Sequence, residues 1–159
     1  MFASYETHRE IERTIYRYCM AVDTGDLDTF AGLFEHGQWA FVSEPGSQPI
    51  LDWLAEHIHF YDGQTHTKHQ ITNLVIDADE DAGVASFSCY ISLWQAVPGF
   101  PVQPIFYGRF NGTFERIDGT WWWKTHEVIQ DLAGDMSRHV KDWGSPEASA
   151  TGARLDGEG

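Results

Sequence analysis

KHQITNLVID, residues 68–77, decides the fold, because here the apolar spacing of the chain changes from helical to period two. That period sets His69, Ile71, Asn73 and Val75 on one face of a strand. Downstream, the same alternation predicts strands over Val84 to Ala96, Ile105 to Ile117 and Thr120 to Gln130. Asp79 to Gly83 and the pair Asp118-Gly119 are tight hairpin signals, whereas Val97 to Pro104 carries three prolines and reads as a wider connection.

Upstream the pattern is helical. Ile11, Ile15, Tyr18, Cys19 and Val22 recur at three- and four-residue intervals, while Arg9, Arg13 and Arg17 trace a separate polar stripe. This first helix should stop near Gly25, and Asp26 can cap a second one with Leu27, Phe30, Leu33 and Phe34 inward. Gln38 to Ser43 reads as a further strand and Glu44 to Pro49 as a loop. A third helix follows, with Leu51, Leu54, Ile58 and Tyr61 inward, ending at Asp62-Gly63. Three helices followed by a meander predict an α+β fold, a curved, mostly antiparallel sheet wrapped cone-like around its helices and enclosing a pocket. One domain is expected over residues 1–143, and 144–159, almost without large apolar residues, is expected to be a disordered tail.

Composition narrows the function. Twenty-four acidic against ten basic residues give a formal charge of -14, which repels nucleic acid and anionic membrane surfaces. The N-terminus offers no signal-peptide core and no apolar run reaches the ~20 residues a bilayer needs, so a cytoplasmic protein is expected. Cys19 and Cys89 fall inside apolar patterns and read as reduced core thiols. Seven Trp and ten Phe build either a large core or the wall of a pocket for a small, flat apolar or aromatic molecule. The pairs His57/His59 and His66/His69 lack zinc-site spacing, so no metal is expected.

Two residues stand out against these patterns. Asp23 continues the buried stripe of the first helix, where a carboxylate needs a partner; alternatively it caps the turn before the second helix. His69 shares a face with apolar residues and reads either as a structural hydrogen-bonding residue or, if Asp23 meets it, as a base with a fixed tautomer. Arg109 and Asn111 share a face of the third long strand, where Arg109 either holds a polar substrate group or forms a salt bridge. Trp121-Trp122-Trp123 must alternate faces, Trp122 opposite its two neighbours; one side lines the pocket or core, and an aromatic patch on the other argues for a homo-oligomer, a dimer or trimer.

The order Tyr18-x4-Asp23, Gly25-Asp26, an aromatic second helix, His69-x-x-Thr72-Asn73 and Phe114-Glu115-Arg116-x-Asp118-Gly119-x-Trp121 resembles the SnoaL-like branch of the nuclear-transport-factor-2-like superfamily, over residues 5 to 135. The pattern is similar to scytalone dehydratase, bile-acid 7α-dehydratase and lindane dehydrochlorinase. That resemblance implies a cofactor-free lyase in which His69 removes a proton and Asp23 orients it. Tyr18, Asn73, Tyr90 and Trp94 would then meet the substrate or leaving group. It equally admits an isomerase or cyclase, or a domain that only binds a small molecule. Scytalone dehydratase has a second catalytic His on the next long strand; this chain has none between Val84 and Ala96.

Overall fold

The computed structural model describes residues 2–144. Helices α1 (Tyr5–Thr24), α2 (Leu27–Gly32) and α3 (Ser47–His57) precede strands β1 (Thr67–Asp79), β2 (Val84–Val97), β3 (Phe100–Ile117) and β4 (Thr120–Ala133). The strands form one antiparallel sheet in sequence order, with helices against one face only. The architecture is the expected α+β one. The tail expected over residues 144–159 lies, from 145 onward, outside the described residues.

Helix α1 is set by its ends as much as by its apolar stripe. The Ser4 hydroxyl accepts from Thr7 N–H at 3.2 Å, and Gly25, at φ 78°, closes the helix in the left-handed region. A Cβ on Gly25 would stand 2.2 Å from the Gly63 carbonyl, so glycine is required there twice over. This close approach brings the last turn of α1, and Asp23 with it, to the loop entering β1. Asp26 caps α2 through Thr29 N–H, which leaves Asp23 free for another partner.

Ile11, Ile15, Phe30, Phe34 and Trp123 are fully buried between helices and sheet. Each stabilises the fold by about 1.5–3 kcal/mol relative to exposure. Cys19 and Cys89 are buried and unpaired. No described helix is long and apolar enough to cross a membrane.

Four local expectations are corrected. Gln38 to Ser43 is not a strand; it is turn and coil with a single bridge from Gln38 to Thr125, and aromatic packing of Trp39 and Phe41 on Trp53 fixes it instead. Helix α3 begins at Ser47, inside the expected loop, because Pro49 is tolerated in a first turn; its inward residues are Ile50 and Leu54. It ends at His57, so Ile58 is extended and bridges Val140, while Tyr61 bridges Gln64. The connection at Val97 is tight: Val97 pairs with Phe100 across Pro98-Gly99, with Gly99 at φ 76°.

The fourth correction concerns the stretch on which the fold was read. Strand β1 carries a bulge: Thr72 pairs with Tyr90 and Val75 with Ser88, so Asn73 and Leu74 together oppose Cys89. Asn73 sits at φ 55°, a left-handed conformation that Asn tolerates better than most residues. The extra residue reverses the alternation, turning Leu74, Ile76 and Ala78 inward and leaving Asn73 and Val75 exposed.

Candidate active site

The end of α1 and the start of β1 build the site. Asp23, 6% exposed, receives three hydrogen bonds from β1: His69 Nδ1 at 2.6 Å, His69 N–H at 2.7 Å and the Thr67 hydroxyl at 2.8 Å. Thr67 is itself bonded to Thr65 at 2.6 Å, both threonines being fully buried. Burial pushes the Asp23 carboxyl up. The hydrogen bond and charge of His69, with its backbone N–H and Thr67, outweigh that effect and hold it below the usual carboxylate range. An ionised Asp23 fixes Nδ1 as the protonated nitrogen of His69 and leaves Nε2 as a proton acceptor.

His69 faces a cavity of about 400 Å³ between helices and sheet. Its walls are aromatic and aliphatic, among them Phe30, Trp39, Trp53, Ile91 and Phe110, and Tyr18 stands edge-on to His69 at 6.2 Å between ring centroids. The Tyr18 oxygen accepts from Trp39 Nε1 at 3.3 Å, so its own O–H is available to a ligand. Burial raises the Tyr18 phenol well above its ordinary value and keeps it protonated. The site therefore joins a proton acceptor and a hydroxyl donor on the wall of a largely apolar cavity. Among the described residues no group of three His, Cys, Asp or Glu side chains is arranged to hold a metal ion.

Of the residues singled out in the sequence, Tyr18, Asp23 and His69 are brought together. The others are not. Tyr90 and Trp94 fall on the even positions of β2, whose inward residues are Cys89, Ile91, Leu93 and Gln95, and so lie 46% and 36% exposed on the open face. Arg109 is on that face as well, in a salt bridge with Asp131 at 2.9 Å, and Asn111 reaches Glu127 at 3.5 Å. Asn73 is turned out by the bulge. Trp121 and Trp123 are the inward side of their triplet, and Trp122 on the outer side is half-buried with His36 edge-on at 4.7 Å, so that side does not form the bare aromatic patch expected of one of the two.

Sequence reasoning missed several residues here. Thr65 and Thr67 precede His69 at two-residue spacing, a signal legible as one inward face. His126 on β4 is buried against Tyr18, Phe110 and Trp123 with neither nitrogen hydrogen-bonded to a described residue, and burial, aided by the charge of His69, lowers its pKa to about 3. His139, beyond β4, lines the cavity, and no periodicity announced it.

A small α+β protein with an Asp–His pair beside a largely apolar cavity is the class that fold and site define. The chain belongs to the SnoaL-like domain family, whose profile matches residues 3–127. That family, within the nuclear-transport-factor-2-like fold, includes dehydratases and isomerases. Among solved structures, an NTF2-like protein with a cystatin-like fold from Novosphingobium aromaticivorans is 23% identical, with 92% of this chain and 88% of that one covered and a TM-score of 0.62. A protein of the same organism provisionally assigned as a scytalone dehydratase is 20% identical, covering 81% and 87%, also at TM-score 0.62. A protein of unknown function with a cystatin-like fold from Nostoc punctiforme is 14% identical over 82% and 96%, at 0.66. No curated protein matches the chain. At these identities the structural likeness establishes the fold.

Proposed function

We propose that the protein is a cofactor-independent lyase acting on a small apolar, cyclic substrate. His69 Nε2 takes a proton from carbon, the electron pair of the broken C–H bond forms a double bond, and the C–O bond at the adjacent carbon breaks. The proton held on Nε2 passes to the departing hydroxyl or similar group, so that water leaves and His69 is neutral again. Tyr18 O–H hydrogen-bonds the departing or carbonyl oxygen. The observation that carries this reading is the Asp23–His69 hydrogen bond at 2.6 Å beside an apolar cavity. A base next to a dry wall is worth more than the same base in water, because nothing else competes for the proton.

The test separates proton removal from group loss. With 2-tetralone in D2O, the wild-type protein should speed exchange of the protons beside the carbonyl, and His69→Ala should lose at least about 100-fold of that acceleration. Undiminished exchange in both His69→Ala and Asp23→Asn removes the pair from the reaction. A thermal-shift screen of hydroxylated polyketides, steroids and aromatic acids then finds the substrate; a product lighter by water supports the lyase, an isobaric one an isomerase or cyclase. A cytoplasmic homo-oligomer completes the proposal, supported by exposed Tyr90, Tyr107 and Leu132 on the open face, and sedimentation equilibrium checks the oligomer.

A further inference from the structure

The strap after β4, residues 134–143, covers part of the cavity and lies wholly outside the stretch that the family profile matches. Its backbone is pinned at several points. The His139 carbonyl accepts from His59 N–H at 2.9 Å, Lys141 N–H donates to the His57 carbonyl at 2.8 Å, and Val140 bridges Ile58. The Arg138 carbonyl accepts from both the Tyr61 hydroxyl at 2.7 Å and Gln95 Nε2 at 3.0 Å. Gln95, fully buried, also donates to the Thr65 carbonyl at 3.0 Å, so one side chain ties the strap to the loop that leads into Thr67 and His69.

This pinning presents His139 to the cavity. His139 is 8% exposed; its Nδ1 is sealed without a hydrogen-bond partner among the described residues, so contact with a molecule in the cavity falls to Nε2, which no described residue hydrogen-bonds. The cavity that His139 lines is largely apolar, with Leu93, Phe106, Met136 and Val140 in its wall, and Lys141 and Asp142 of the strap also border it. Burial, with the nearby charge of His69, lowers the His139 pKa to about 3, so the ring is neutral at pH 7 and Nε2 either donates or accepts a hydrogen bond, carrying no charge.

We propose that His139 is a ligand-contacting residue that hydrogen-bonds an oxygen substituent of an uncharged, ring-containing molecule held in the same cavity as His69. The inference rests on the reading of that cavity as a substrate site and adds the class of ligand: a neutral phenol, alcohol or ketone on an apolar ring system. A neutral imidazole suits such a group better than a cation would, since it makes the bond without attracting carboxylates. It can also polarise a carbonyl without giving up its proton while His69 accepts one from carbon.

Two probes of the same ring size, 2-naphthol and naphthalene, isolate the contribution of the oxygen, with affinities read by equilibrium dialysis against the full chain. His139→Phe should weaken 2-naphthol about 3- to 10-fold, the value of one net hydrogen bond, and leave naphthalene within about twofold. His139→Gln, which keeps a donor and an acceptor, should recover part of the loss. In the intact wild-type protein labelled with 15N-histidine, the His139 ring nitrogens should shift with 2-naphthol and stay put with naphthalene, a readout that needs no variant to fold. If both probes bind but neither the His139→Phe affinities nor the ring shifts distinguish them, His139 does not read the oxygen and the cavity reading survives. If the wild type binds neither probe, the substrate-site reading fails and this inference falls with it.

Discussion

The two faces of one sheet treat charge in opposite ways. On the helix-covered face Asp23 and His69 are bonded at 2.6 Å with side chains 6% and 10% exposed; on the open face Arg109 and Asp131 are bonded at 2.9 Å with 43% and 41% exposed. Both pairs have good geometry. Only the first removes charge from water, so only there does loss of a partner leave something that water cannot repair. A hydrogen-bond distance alone therefore says little about what a pair does; burial and the number of donors converging on it say more.

The largest effect should come from Asp23. Asp23→Ala leaves the His69 N–H, the His69 Nδ1–H and the Thr67 hydroxyl without their acceptor, and should cost about 3–5 kcal/mol in urea unfolding. Asp23→Asn retains an acceptor oxygen and should lose less stability, yet it removes the charge that keeps His69 in its basic tautomer. Exchange of the 2-tetralone protons should then fall by about 100-fold or more. Equal stability for Asp23→Ala and wild type would make the two faces energetically alike and break the contrast.

The helix-covered face also holds a counterexample to its own tidiness. His126 is as buried as Asp23 and has no partner for either nitrogen among the described residues. Its folded pKa, about 3, lies below the ordinary 6.5, so between those values the unfolded chain binds a proton that the folded one does not. Stability is full above about pH 6.5 and falls as the pH drops toward 3, by about 1.4 kcal/mol per pH unit for each such histidine. His139 shares this behaviour, whereas Asp23, with its pKa lowered, loses its contribution only in more acidic solution. His126→Phe should therefore flatten the acid limb of a stability-against-pH curve by about that slope, and should match or exceed wild-type stability at pH 7. A loss of stability at pH 7 would mean that the ring has a partner, and would sharpen the comparison by making the face fully paired.

Much of this contrast was legible in the sequence, and the exceptions share a cause. Asp23 could be assigned to the inner face because α1 keeps its period to the last turn, and His69 because it lies four residues upstream of the bulge. Asn73 could not, since one extra residue in β1 reverses every later side chain and only pairing with Cys89 reveals it. Tyr90, Trp94, Arg109 and Asn111 sit on correctly read strands, yet which face of β2 and β3 turns inward depends on register with β1 and β4, which no strand carries alone. His139 follows the last strand, where backbone bonds to residues 57–59 set the path and leave no period to read. Asn73→Val, forcing a β-branched residue into φ 55°, should cost about 1–2 kcal/mol and tests whether this bulge sets the face of β1.

The smallest effect should belong to Arg109. Its guanidinium meets Asp131 through three contacts of 2.9 to 3.2 Å, an arrangement that in a buried site would dominate its surroundings. Here both side chains remain about two-fifths exposed, so water replaces either partner and salt screens the attraction. Arg109→Ala should shift the melting temperature by no more than about 2 °C, by less still in 0.5 M salt, and should leave 2-tetralone exchange unchanged. A fall in exchange without a fall in stability would return Arg109 to the role first read for it in the sequence, holding a polar substrate group. That outcome would require the open face of β3 to reach a reacting molecule that the cavity, on the other side of the sheet, encloses. The two faces of the sheet would then no longer divide the molecule's chemistry between them.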